Sequence, residues 1–102
     1  MPQCDLRKIY VAGPMTGLPD FNRPAFFAYA AQLGEEGHIV LNPATLPLGL
    51  AHSEYMELCR PMVALADEIH MLPGWVSSRG ALVEHEWATM AGKTIRYVGV
   101  PA

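Results

Sequence analysis

An α/β fold built on one small parallel sheet is predicted by three features of this 102-residue sequence. Short segments rich in β-formers alternate with longer segments of helical periodicity. The first three of those short segments stop at Gly or Pro, and glycines close two of the helical ones. Strands alternating with helices imply right-handed crossovers and a sheet covered on both faces.

Each element has its own justification. Arg7 to Ala12 (Arg-Lys-Ile-Tyr-Val-Ala) favours a strand and ends at Gly13-Pro14. Met15 to Phe21 carries Gly17, Pro19 and Asp20 and suits a surface loop. Asn22 can cap the next helix, with Pro24 tolerated in the first turn. Phe26, Ala30 and Leu33, with Phe27 alongside, repeat at helical spacing up to Gly37 and are expected in the core. His38 to Asn42 is a second strand, stopped by Pro43. Ala44 to His52 is a loop of Pro, Gly and small apolar residues. Ser53 can cap a helix toward Ala66, in which Pro61 removes the backbone bond to Glu57 and should kink or split it. Glu68 to Leu72 is the third strand, Gly80 to Ala91 a helix with Val83, Trp87 and Met90 on one face and Trp87 expected in the core, and Thr94 to Val98 the fourth strand. No repeat or linker divides the chain, which reads as a single domain over residues 1–102.

In a flavodoxin-like three-layer sandwich with strand order 2-1-3-4, the chain reverses direction across the sheet between strands 1 and 3. Ligands then bind at the carboxyl ends of those strands. Two loops, Gly13 to Asn22 and Pro73 to Gly80, would face each other across that cleft, with Asn42 at its margin.

Composition narrows the function. Hydrophobic residues are 51% of the chain and charged residues 17%, but no apolar run approaches the ~18 residues of a membrane span. The start, Met1-Pro2-Gln3-Cys4-Asp5, has neither the basic nor the apolar block of a secretory signal. A soluble, cytoplasmic protein without a membrane partner is the expectation. The net charge of −3 and pI near 5.7, with no Lys/Arg run, argue against duplex nucleic acid and leave a single nucleotide open. Cys4 and Cys59 form no zinc or disulfide pattern and read as buried or idle thiols. His38, His52, His70 and His85 lack ligand spacing, so no metal and no other cofactor is expected; mid-strand His70 suits the core.

The stretch with most chemical content runs from Leu72 to Glu84. Gly80 and Glu84 are four apart and share a helix face, and helical side chains lean toward the N-terminus. The Glu84 carboxylate is thus aimed over a residue with no side chain, leaving room for a ligand beside it. Backbone N–H groups from Ser78 to Ala81, with the hydroxyls of Ser77 and Ser78, suit a phosphate or ribose oxygens. The plainer alternative is a solvated helix glutamate beside a glycine that merely fits the turn. Trp75, in the loop beside the cleft with no periodic partner, suits stacking on a base or closing a subunit interface.

Tyr10-Val-Ala-Gly-Pro14, followed by Ser78-Arg-Gly-Ala-Leu-Val-Glu84, resembles the nucleoside 2-deoxyribosyltransferase superfamily. Ala12-Gly-Pro-Met-Thr-Gly17, Asn22-Arg-Pro-Ala-Phe26, Asn42-Pro-Ala44 and Leu72-Pro-Gly-Trp75 are more closely similar to a family of short bacterial and phage proteins of unknown function grouped with it. The resemblance implies the flavodoxin-like fold and a site acting on an N-glycosidic bond. It makes Glu84 the catalytic carboxylate at the anomeric carbon, Tyr10 the residue that orients it, and Gly13 with Pro14 the loop against the sugar. The cleft placement itself makes Met15, Asn22, Gly74, Trp75, Ser77, Gly80 and Ala81, with Asn42 at the margin, the expected substrate contacts. Ser78 stands where transferases of free nucleosides carry an aspartate and nucleoside 5′-monophosphate N-glycosidases a serine. An aspartate would repel a phosphate that a serine can hold.

One position departs from the superfamily pattern. An acid is expected at the end of the third strand to support the nucleophile, and Leu72-Pro73 stands there. Asp67 is at the far end of that strand, about 15 to 20 Å off at ~3.3 Å per residue, where it suits a cap. Asp20 is the candidate substitute. The resulting expectation is N-glycosidic cleavage of a (deoxy)nucleoside 5′-monophosphate in a homodimer or larger assembly. The alternatives are a deoxyribosyltransferase and a nucleotide-binding module without turnover, which the missing acid favours.

Overall fold

A computed structural model describes residues 6–99, so Cys4 and the rest of the N-terminal pentapeptide lie outside the described residues. Four strands, β1 (Lys8–Ala12), β2 (Ile39–Leu41), β3 (Glu68–Met71) and β4 (Thr94–Tyr97), alternate with three helices, α1 (Arg23–Glu35), α2 (His52–Leu65) and α3 (Arg79–Met90). The sheet is parallel throughout, in the order β2-β1-β3-β4. This is the expected α/β sandwich, with strand ends within a residue or two of those read from the sequence.

Strand alternation sorts the core into two halves. Ile9 and Val11 face α1 and pack with Phe26 and Leu33. Tyr10, Ala12, Ile69 and Met71 face the other way, against Cys59 and Val63 of α2 and Ala81 and Ala88 of α3. Every residue of β3 is buried, as a strand covered on both faces should be. Asp67, just before β3, accepts the Lys8 N–H at 2.9 Å, the capping position expected of it.

Several local expectations are corrected. Pro61 leaves α2 unbroken; it and Glu57 are exposed, so water can serve the Glu57 carbonyl that loses its partner. Ser53 lies inside α2, which begins one residue earlier with the Glu54 carboxylate accepting the Ala51 N–H at 2.8 Å. Phe27 is 42% exposed rather than core, with the Arg23 guanidinium 5.7 Å above its ring. The buried stripe of α3 is Ala81, Glu84 and Ala88; Trp87 does pack against that core, half-buried beneath Arg60, while Met90 on the same face is 80% exposed. Among the described residues no helix is long and apolar enough to cross a membrane.

The loop after β1 has an unusual backbone. Asp20, Phe21 and Asn22 are consecutive non-glycine residues with φ of 50°, 53° and 59°. Left-handed backbone costs an L-residue roughly 1–2 kcal/mol. Asn22 does not cap α1; its Nδ2 donates to the Pro14 carbonyl at 2.9 Å and ties the loop's end to its beginning.

Candidate active site

The carboxyl ends of β1 and β3 open into a cavity of about 410 Å³, within the size range of small-molecule sites. The two loops flanking it touch: a Cβ on Gly74 (φ +89°) would come within 3.3 Å of the Pro14 ring. Gly13 is a packing requirement, because a Cβ there would lie 2.8 Å from the Leu72 Cβ. Leu72, standing where an acid was expected, is buried against the α1 side of the sheet.

Glu84 lines the cavity from α3 and is 6% exposed. Tyr10, at 0% exposure in mid-β1, donates its hydroxyl to Glu84 Oε2 at 2.6 Å. The Cys59 thiol of α2 stands beside this carboxylate and favours its charged form. Burial pushes Glu84 up to about 7, although Tyr10 and Cys59 oppose that shift. Burial likewise raises Tyr10 well above the usual phenol range and Cys59 to about 12, each reinforced by the nearby Glu84 charge. Both neighbours therefore stay protonated while Glu84 titrates at neutrality. Glu84 is the only carboxylate on the cavity wall among the described residues.

Of the other residues singled out by sequence, Gly13, Met15, Ser78, Gly80 and Ala81 also line the cavity. The Ser78 Oγ accepts the Ala81 N–H at 3.2 Å and caps α3. The Ser78 N–H is bonded to the Trp75 carbonyl at 3.0 Å, so Arg79 and Gly80 carry the first-turn N–H groups without a partner inside the helix. At Gly80 a Cβ would meet nothing nearer than Met56 Sδ at 3.5 Å and His52 Cε1 at 3.6 Å. Packing tolerates a side chain there, and glycine keeps the space beside Glu84 open.

The remaining candidates stand off the wall. Tyr10 acts from behind Glu84. Asn42 builds the wall by capping the 3₁₀ turn Pro43–Thr45, its Oδ1 accepting the Ala44 N–H at 2.9 Å; Pro43 and Ala44 then face the cavity. Pro14, Asn22 and Gly74 shape the loops. Ser77 is exposed and outside the cavity. Trp75 stacks on His85 at 4.5 Å between ring centroids and 15° between planes, next to Tyr97. Asp20 is exposed, ion-paired with Arg23 at 3.6 Å, and outside the lining, so among the described residues no second carboxylate accompanies Glu84 there.

Sequence reading missed the opposite wall. Leu46, Leu48 and Leu50 line it from the loop before α2, with Phe21 and Phe26 from the α1 side. The Tyr55 hydroxyl pins that loop, donating to the Pro47 carbonyl at 2.7 Å and accepting the Leu50 N–H at 3.3 Å. Three leucines at every second position were the available signal, but a loop of small apolar residues has no period that distinguishes a wall from a surface. Cys59 was also missed as a partner of Glu84, since nothing in the spacing joins α2 to α3.

Comparison with known proteins agrees with this architecture. A 2-desoxiribosyltransferase from Leishmania mexicana superposes with a TM-score of 0.72 at 20% sequence identity, over 89% of this chain and 63% of that one. This chain thus spans less than two thirds of that protein's length, and the likeness is one of fold. No curated protein matches the sequence. The family model described as "Domain of unknown function (DUF4406)" matches residues 7–97, nearly the whole described chain. On that match the chain belongs to the DUF4406 family, and it carries that family's sequence on a deoxyribosyltransferase-like fold.

Proposed function

We propose that this protein cleaves the N-glycosidic bond of a nucleoside or 2′-deoxynucleoside 5′-monophosphate, with Glu84 as the reacting carboxylate. The observation that carries the reading is the environment of Glu84: a cavity-facing carboxylate, buried, held by the Tyr10 hydroxyl beside the neutral Cys59 thiol and pushed by burial up to about 7. Such groups concentrate at functional sites. In the ionised form Glu84 attacks C1′, or stabilises the cation developing there; the C1′–N bond breaks and its electron pair leaves with the base. Water then takes the sugar. Tyr10 holds the carboxylate in place. The open first turn of α3, with Ser78, is the phosphate end of the site.

The lone carboxylate keeps a second reading alive. With Leu72 at the end of β3 and Asp20 turned to Arg23, no acid among the described residues supports Glu84, which fits a nucleotide-binding module without turnover. The name of the fold neighbour points instead to transfer of the deoxyribosyl group to another acceptor. Incubation with a panel of nucleosides and their 5′-monophosphates separates these. Base release from monophosphates in preference to nucleosides, reduced at least ~10³-fold in Glu84→Gln, is the expected result. Binding without base release from any of them ends the hydrolase reading, and release only when a second base is supplied would establish transfer.

A further inference from the structure

Among the described residues Arg23 is the one Lys or Arg on the cavity wall, and it has no part in the reaction just described. It stands in the first position of α1 with no acidic residue in that helix's first turn, an unfavourable place for a positive charge. Its Asp20 partner is exposed and 3.6 Å away, beyond hydrogen-bond distance. Its Nε is buried and, among the described residues, is the side-chain polar atom left without a hydrogen-bond partner. A buried guanidinium donor without an acceptor is costly, and the strained backbone from Asp20 to Asn22 leads directly into it. The Asp20 ion pair and the Phe27 ring, 5.7 Å from the guanidinium carbon, engage part of this side chain, but neither gives its Nε an acceptor.

The topology gives it a place relative to Glu84. Arg23 belongs to the layer on one sheet face, with Phe26, while Ser78 and Glu84 belong to α3 on the other. If the phosphate lies at the first turn of α3 and the anomeric carbon at Glu84, the base extends across the strand ends toward α1. There it meets Arg23 beside Phe21 and Phe26. Resting on the nucleotide reading above, we propose that Arg23 forms the base end of the cavity and selects a base presenting two neighbouring acceptors, as a 6-oxopurine does with O6 and N7. The guanidinium is a fork of donors with no acceptor. It pairs well with O6 and N7, whereas adenine sets the N6 amino donor beside N7.

The test compares deoxyinosine and deoxyadenosine 5′-monophosphates, titrated calorimetrically into Glu84→Gln protein so that ligand is not consumed. Deoxyinosine monophosphate should bind on the order of 10- to 100-fold tighter, the range of one good bidentate base contact. Adding Arg23→Met, or Arg23→Lys, which keeps the charge and removes the fork, should bring the ratio below about threefold. A preference that is absent from the start, or that survives both substitutions, overturns the inference. An equal loss for both nucleotides together with lost binding of inorganic phosphate would put Arg23 on the phosphate and overturn it too. Failure of Glu84→Gln protein to bind either nucleotide refutes the nucleotide reading itself, and this inference with it. Nucleotide binding without base preference removes only the inference.

Discussion

Two glutamates in this molecule are each 6% exposed and have opposite environments. Glu84 has neutral partners, the Tyr10 hydroxyl and the Cys59 thiol, and burial pushes it up to about 7. Glu68, on the α1 face of β3, has cationic and imidazole partners. Arg7 pairs with its Oε2, and Arg96 Nε (3.3 Å) and His70 Nε2 (2.9 Å) meet its Oε1. Burial alone would raise Glu68 as well, but the bonds from His70 and Arg7 and the charges of Arg7 and Arg96 outweigh it and hold the carboxyl below its usual range. His70 completes that cluster through the Tyr29 hydroxyl at 2.6 Å; burial keeps its pKa below the ordinary histidine value despite Glu68. Burial by itself thus identifies neither residue. A carboxylate matched by cations is an anchor, and one given only neutral donors beside a cavity is held ready to change charge.

The sharpest way to test this contrast is stability against pH in Glu84→Gln. An acid whose folded pKa is raised holds its proton in the folded state while the unfolded chain loses it. Wild-type stability from Glu84 is therefore full below about 4.5 and is lost as pH rises toward 7. A shift from 4.5 to about 7 corresponds to roughly 3 kcal/mol. Chemical denaturation at pH 8 should find Glu84→Gln more stable than wild type by up to that amount, with little difference at pH 4. Equal stability at both pH values would show that Glu84 is not held in a desolvated site.

Glu68→Gln should do the reverse. It leaves His70 and Arg7 without their carboxylate, at an expected cost of about 2 kcal/mol near neutrality, discounted because both arginines reach solvent. Since the folded pKa of Glu68 is depressed, this loss is present above its unfolded value and disappears as pH falls through the folded one. Thermal melts at pH 7 and pH 3 would check it; an equal loss at both would argue for packing instead of charge.

Tyr10→Phe is the smallest expected change in stability, about 1 kcal/mol for one hydrogen bond. Its useful readout is elsewhere. Removing a donor that favours the ionised carboxylate should move the acid limb of base release, or of nucleotide binding, to higher pH. A lower rate with an unmoved limb would assign Tyr10 to packing alone.

Much of the framework was readable in the residues. The strands at Lys8–Ala12 and Glu68–Met71, the glycines and prolines after them, and the crossover helices led to the switch point and its two loops. The Gly80 and Glu84 pair also followed from helical geometry, because four residues make about one turn. Trp75 shows where this stops. Its loop position was right, but its partner, His85, is one residue beyond Glu84 and became a partner only once β3 and α3 were packed. Phe27 and Met90 are apolar and still face out, because each is turned on its helix well away from the buried stripes through Phe26 and Leu33 and through Ala81, Glu84 and Ala88.

By itself the sequence determined the local chemistry: which segments extend or coil, where the chain turns, and that Glu84 lies on the same face as a residue without a side chain. These depend on neighbours within a turn, and backbone sterics fix them. Only the tertiary structure decided that Glu84 would be dry and matched by Tyr10 and Cys59, from β1 and α2, while Glu68 would be surrounded by charge. It also decided that Arg23 would close the far wall of the cavity. Desolvation and pairing are properties of the surroundings, and those surroundings come from segments distant in the chain that meet only when the sheet closes.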